Sequence, residues 1–280
     1  MGLGNNHNTV TTGANFIKTV WSKKVIIATN AKLVAANLVQ RFDTEAKLGR
    51  TIVVPNISNL TVSDKVASAE IDFQATTESA TNITINKHKY AAFLIEDALK
   101  AQEDYGLVGL YSEKAARGVA KQIDSDVLAL GAGANTNKGD YNTNTVSDAD
   151  ILGAIVNLDE VDVPDEERAF IFKPNLKAHL LLIYEKFYSA SIRGDKENPI
   201  PKGALMELYS IPLYITTNVY SSGDNDSNLL LQKEAIALAV NLNTPVEKGR
   251  IIQYLADAYV KQALYGCRVM RSDFMCEIKS

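Results

Sequence analysis

The sequence predicts an α+β fold, and three observations predict it. Gly49 to Asn86 reads as one strand running out and another coming back, with a long polar stretch between them. A proline-free stretch from Asp104 to Leu130 carries apolar residues at steps of three and four. After a polar segment at 131–147, the pattern changes to short helices alternating with short apolar strands.

The chain has 280 residues, 46% of them hydrophobic and 22% charged, which suffices for a real core in one large domain or two lobes. A net charge of −4 argues against wholesale electrostatic binding of nucleic acid, although a local basic patch is compatible with it. Cys267 and Cys276, nine residues apart, supply neither a disulfide framework nor a zinc set. An odd separation within one strand puts them on opposite faces, so two reduced thiols are expected. No apolar run approaches the ~20 residues of a membrane helix. Met1 to Val10 is Asn- and Gly-rich without a signal-peptide core. These features predict a soluble chain made in the cytoplasm, with residues 1–15 as a mobile arm.

Phe16 to Ile27 is amphipathic and carries the single tryptophan, Trp21. Asn30 to Phe42 fits a short helix with Leu33, Val34, Leu38 and Phe42 on one side. The outgoing strand is Thr51-Ile52-Val53-Val54-Pro55, with Pro55 closing it, and the returning strand is Thr81 to Asn86 with alternating polarity. Ser, Thr, Asp and Glu with scattered Val, Ile and Phe lie between. A connection of this length is uncommon in a compact domain, and an isolated two-stranded ribbon is marginal in water. Something outside the subunit is expected to cover it, which favours assembly over catalysis. Tyr90 to Ile95 continues as an apolar strand.

In the helical stretch, Asp104 is the expected cap. Leu107, Leu110, Tyr111, Ala115, Val119, Ile123, Val127 and Leu130 form the expected buried stripe, with Glu113, Lys114, Arg117, Lys121, Asp124 and Asp126 on other faces. The rod is about 40 Å long at 1.5 Å per residue. Gly131 and Gly133 are read as its stop. Ser147, with Asp150 in the first turn, caps a helix over Asp148 to Val161. Arg168 to Phe172 is a buried strand, and Pro174 opens a helix to Tyr184. Ser189 to Pro201 is a charged loop. Ala204 to Tyr209 and Leu213 to Thr217 are strands, and Leu229 to Leu231 and Glu234 to Val240 are short apolar segments. Arg250 to Leu264 and Cys267 to Ile278 read as antiparallel strands joined by a tight turn at Tyr265-Gly266.

Catalytic chemistry is hard to find. His7, His88 and His179 lack metal-ligand spacing. Gly131-Ala132-Gly133 follows a helix, where a dinucleotide fingerprint needs a strand before it. No nucleophile elbow is present. Asp159, Glu160, Asp162, Asp165, Glu166 and Glu167 crowd one loop and read as a solvated acidic face rather than a cation site. Lys114, Arg117 and Lys121 share a helical face; ordinary ion pairing with Glu113 and Asp124 accounts for them better than contact with nucleic acid.

The order of parts resembles the major capsid protein of tailed bacteriophages, with the Hong Kong 97 type fold. The resemblance rests on Gly49-Arg50-Thr51-Ile52-Val53-Val54-Pro55 opening the extended loop and on Phe93-Leu94-Ile95-Glu96-Asp97 leading into the long helix. It rests also on Gln253 to Tyr259, followed by Tyr265-Gly266, near the end. It covers nearly the whole chain and involves no signature motif. It implies an N-terminal arm and short helix (1–48), an extended loop lying across a neighbour (49–95), a peripheral lobe with the spine helix (96–146), an axial lobe (147–240) and closing strands of the peripheral lobe (241–280). Residues 1–30 are the arm that grips another subunit. Arg50, Asp64, Lys65, Glu70, Arg193, Asp195 and Lys196 are the implied intersubunit contacts, with the loop around Arg193 approaching the five- and six-fold axes.

The implied function is self-assembly into an icosahedral shell around viral double-stranded DNA. The implied partners are further copies in pentamers and hexamers, a scaffolding protein, a portal protein and DNA held without sequence readout. No cofactor, metal, enzymatic activity or membrane is implied; the location is the virion capsid, after synthesis in the host cytoplasm. Some relatives carry a long N-terminal scaffolding segment, whereas this chain starts almost at the arm. Some cross-link through a Lys of the extended loop, but Lys65, the only Lys between Arg50 and Asn86, is read as a solvated tip residue. An encapsulin-like cellular shell shares the architecture and is the alternative. An α/β enzyme is the alternative from another class, with no visible site.

Overall fold

A computed structural model describes residues 33–57, 60–65, 67, 70–71, 73–75, 78–102, 106–134, 136–138, 146–181, 207–222 and 225–279. The expected arm, the Trp21 segment, the Asp104 cap and the charged loop with Arg193, Asp195 and Lys196 lie outside the described residues.

The helix expected over Asn30 to Phe42 is a single turn, α1 (Ala35–Leu38), after which the chain straightens into β1 (Gln40–Arg41). α2 (Asp43–Ala46) follows, with Asp43 and Glu45 in its first turn. β2 (Thr51–Ile57) and β3 (Glu78–Thr84) form a separate two-stranded ribbon, paired from Thr51↔Thr84 to Ile57↔Glu78. Pro55 does not end β2; it pairs with Ala80. A two-stranded ribbon leaves one edge of each strand open, where a missing N–H costs nothing.

β4 (Lys87–Glu96) alternates in exposure along its length, and α3 (Asp97–Gln102) leads on to α4 (Leu107–Leu128). Only the second half of α4 is buried, through Val119, Ile123, Val127 and Leu128; Tyr111 is half exposed, its ring 5.6 Å from that of Phe93. The expected stripe is therefore half as long as the periodicity suggested. Asp124, expected outside, is buried. Past Leu128 the chain tightens into a 3₁₀ turn, Ala129–Gly133. Gly131 sits there because an added Cβ would lie 2.3 Å from Leu229 Cδ1, so its role is close packing as well as helix termination.

β5 (Thr136–Lys138) precedes α5 (Asp148–Asp159), which begins with the expected capping box: Ser147 Oγ accepts from Asp150 N–H and the Asp150 carboxylate accepts from Ser147 N–H. β6 (Arg168–Phe172) is buried throughout, and Pro174 starts a 3₁₀ turn, Pro174–Leu176, that runs into helix up to Leu181. β7 (Glu207–Leu208) and β8 (Ile211–Ile215) make a two-residue hairpin. Its turn residues, Tyr209 and Ser210, have φ of 52° and 64°. That is the left-handed geometry of a type I′ turn, here without Asn or Gly. Ser210→Gly removes the penalty of a side chain in that region, partly offset by glycine's larger unfolded-state entropy. We expect a gain of about 0.5 kcal/mol, readable as a higher urea midpoint at unchanged slope.

β9 (Ser221–Ser222), β10 (Asn225–Gln232), β11 (Ile236–Asn243), β12 (Glu247–Ile251), β13 (Ala256–Val269) and β14 (Met275–Lys279) complete the chain. The expected turn at Tyr265-Gly266 is not there. β13 runs straight through it, and β14 belongs to another sheet. β13 is the spine of a five-stranded sheet. β4 pairs along one side (Ala256↔Glu96 to Tyr265↔Lys87). β12 and then β11 follow each other along the other side, with β1 parallel to β11 beyond. The second sheet has seven strands in the order β5-β14-β10-β6-β8-β7, with β9 paired to β10. β11, which crosses the expected boundary at 240, thus pairs with β13, while β14, from within 241–280, pairs with β10. Cys267 and Cys276 lie in different sheets and are not joined in a disulfide. One large core joins α4, α5 and the two sheets. A small second core, Ala46, Ile52, Ile83, Ile85, Ala237 and Ala239, holds the base of the ribbon.

Candidate intersubunit surface

Gly266 explains how the ribbon leaves the body. A Cβ at this position would lie 2.3 Å from the Thr84 carbonyl oxygen and 3.1 Å from Ile85 Cα. The end of β3 crosses directly over β13, and only a residue without a side chain admits it. At the crossing, Ile85 N–H donates to Arg50 C=O at 2.9 Å. Asp43 Oδ1 accepts from Val240 N–H at 2.9 Å, and Asn241 Nδ2 donates to Ala46 C=O. Ile52 and Ile83 point into the small core, whereas Val53 is 58% exposed on the opposite face.

From this base β2 runs out over its seven residues, about 23 Å at 3.3 Å each. The described tip residues beyond it are all exposed. Gln74 ties the two arms of the tip. Its Oε1 accepts from Thr61 N–H at 2.9 Å and its Nε2 donates to Thr61 C=O at 2.8 Å, so one side chain stands in for a strand partner. Val62 and Phe73 are each 95% exposed, and Leu60 and Ile71 are 65% and 64% exposed. Four large apolar residues exposed on one extension form a surface suited to burial against another molecule.

The structure places Arg50 at the exposed foot of the ribbon and Asp64, Lys65 and Glu70 in its exposed tip, so these four belong to one projection. Sequence reasoning singled out the charges and passed over Leu60, Val62, Ile71 and Phe73. The available signal was the scatter of large apolar residues through a polar stretch lacking a period to bury them.

Other clusters serve the fold. Arg168, 3% exposed, donates to the carbonyls of Val163 and Pro164 and pairs with Asp159 at 2.7 Å and Asp165 at 3.0 Å. Part of the supposedly solvated acidic face is thus a clamp on a buried guanidinium. Arg117 pairs with Glu113 at 3.0 Å, one helical turn away. Asp126 accepts from Tyr265 Oη at 2.7 Å and Lys87 Nζ at 3.1 Å; burial opposes its charge, but these hydrogen bonds hold its carboxyl below the usual range. Among the described residues, no three His, Cys, Asp or Glu side chains are grouped to hold a metal, and no helix is long and apolar enough to cross a membrane.

At the far end of the five-stranded sheet, Asp257 takes Lys248 at 2.8 Å, Lys100 at 3.2 Å and Arg250 at 3.6 Å, while Arg250 also forks onto Asp97 at 2.6 Å. The Lys248 hydrogen bond leads in lowering the Asp257 carboxyl to about 2. Asp97 is lowered too, chiefly by the hydrogen bond from Arg250. A carboxyl depressed on folding stabilises fully above its unfolded value and ceases to do so as pH falls through its folded one. Thermal unfolding should therefore be insensitive to these groups above pH 5. It should move to lower temperature between about pH 4 and pH 2, and Asp257→Asn should flatten that part of the profile.

No protein-family model matches this sequence, and no curated protein matches it. The fold is matched closely. A chain of Mycobacterium phage Che8 superposes with a TM-score of 0.81 at 23% identity, over 94% of this chain and 97% of that one. The capsid structure of cyanophage P-SCSP1u gives a TM-score of 0.76 at 16% identity, covering 99% and 96%. The capsid of a native GTA particle, computed with C5 symmetry, gives 0.70 at 10% identity, covering 97% and 98%. The chain has the fold of these three structures, two of them capsids, an α+β architecture of the Hong Kong 97 type.

Proposed function

We propose that this chain is the major capsid protein of a tailed bacteriophage, a structural protein rather than an enzyme, and that it self-assembles into an icosahedral shell enclosing double-stranded DNA. The observation that carries the proposal is the β2–β3 ribbon. It projects from the body past Val54, which still packs against the small core, and presents Leu60, Val62, Ile71 and Phe73 to solvent. On a fold shared with phage capsids, such a surface is completed by a neighbouring copy.

In this reading, 49–95 is the extended loop across a neighbour, with Arg50, Asp64, Lys65 and Glu70 among its contacts. The five-stranded sheet with α4 forms the body of the peripheral lobe. The seven-stranded sheet forms that of the axial lobe, whose loop around Arg193, Asp195 and Lys196 approaches the symmetry axes. Residues 1–30 are the arm that grips another subunit. Head-to-tail contacts of this kind close into rings of five and six, and many modest contacts sum to a stable shell. A scaffolding protein, a portal protein and packaged DNA are the further partners, the virion capsid is the location, and synthesis is in the host cytoplasm. Negative-stain microscopy of the purified protein, with and without the products of neighbouring genes, tests the proposal. Closed uniform particles support it; a small discrete oligomer under every condition, scaffold included, overturns it.

A further inference from the structure

α1 starts without a cap of its own: Val34, at the N-cap position, has no side-chain oxygen. The cap comes from 90 residues away. Asp124 Oδ1, on α4, accepts from Val34 N–H at 3.1 Å and from Ala35 N–H at 2.6 Å, and Asp124 Oδ2 accepts from Asn218 Nδ2 at 2.9 Å. Asn218 lies in the turn after β8, its N–H donating to Thr216 Oγ1 at 3.2 Å. One carboxylate, 1% exposed, therefore joins the helix packed on the five-stranded sheet, a strand-end turn of the seven-stranded sheet and the first described turn of the chain. Burying a carboxylate is costly, and a helix terminus this short is ordinarily left to water or to a local side chain. Two hydrogen bonds to consecutive N–H groups fix the position and the direction of the backbone together, since the second stops rotation about the first.

We infer that Asp124 is a positioning residue: it sets where and in which direction the segment ahead of Val34 leaves the body, and correct shell assembly depends on it. The second half of this inference rests on the capsid reading; the first does not. The same bonds suggest the test. Asp124→Ala removes the acceptor from Val34 and Ala35 N–H. Asp124→Asn keeps it, and the Asn218 amide, turned over, offers its Oδ1 to the new NH₂.

Trypsin cleavage after Lys32 in the unassembled chain reads the anchoring, and cleavage after Lys65 in the exposed ribbon tip serves as the internal reference. D124A should be cut at Lys32 about tenfold faster than the parent, the factor that loss of an ordinary helix cap gives. D124N should stay within about twofold of the parent, and Lys65 should be cut equally in all three. Under assembly conditions D124A should yield open or irregular particles, and D124N closed ones. Parental cleavage at Lys32 in D124A, or cleavage of D124N as fast as that of D124A, overturns the anchoring role. Normal particles from D124A overturn its part in assembly. Should D124A not fold, loss of anchoring in a folded D124N overturns the inference. If the parent chain itself never assembles, the capsid reading falls while the cleavage result still decides the anchor.

Discussion

Gly266→Ala should destabilise the chain by about 2–3 kcal/mol and detach the base of the ribbon. The added methyl would sit 2.3 Å from the Thr84 carbonyl oxygen and 2.9 Å from its carbon. These are backbone atoms, so no rotamer change relieves the contact; either β13 or the end of β3 must shift. A shift of β3 breaks the Ile85–Arg50 hydrogen bond and opens the small core around Ile52, Ile83 and Ile85, none of which has another place to bury itself. Urea unfolding should show the loss, and proteolysis at the foot of the ribbon should accelerate. Gly249→Ala in β12 is the control. Nothing lies within 4 Å of its Cβ, so its effect should stay within about 0.5 kcal/mol. Equal effects at the two glycines would mean that the crossing at Gly266 does not constrain the ribbon.

The largest functional effect should come from residues that do nothing for the isolated fold. Val62→Ser with Phe73→Ser removes two side chains that are each 95% exposed, so the stability of the unassembled chain should change by less than about 0.5 kcal/mol. If a neighbouring copy buries both, each contributes about 1.5–3 kcal/mol to that contact. Their loss then weakens a single subunit contact by about a hundredfold or more. Because every subunit repeats the contact, the critical concentration for assembly should rise beyond practical reach. Sedimentation velocity across a concentration series reads this directly. An unchanged critical concentration would remove the ribbon tip from the interface.

Much of this architecture was legible in the sequence because its signals are local. The Ser147–Asp150 capping box, the apolar run Arg168 to Phe172 and the alternation of Thr81 to Asn86 each reveal an element through its own residues. The failures share a different cause. Gly266 after Tyr265 reads locally as a turn; it is a strand glycine because another strand crosses it, and nothing nearby in sequence reports that strand. Asp124 reads as solvent-facing because charge usually is. Its partners, Val34, Ala35 and Asn218, are about 90 residues away on either side. The end of the buried stripe on α4 was equally hidden, since the periodicity is the same in the half-exposed first turns as in the buried later ones. At the candidate surface the extended ribbon was foreseen from its length and composition. Which of its residues matter depended on exposure: charges are visible in any sequence, whereas Val62 and Phe73 become conspicuous only once they are found exposed.

Amide hydrogen exchange across the ribbon, compared between the unassembled chain and purified particles, tests the central claim most directly. The ribbon beyond the Val54–Thr81 pair should exchange rapidly in the free chain and become strongly protected in particles, while β6 and β10 remain slow in both. A ribbon that exchanges equally fast in the particle, or that is already protected in the lone chain, would contradict the account.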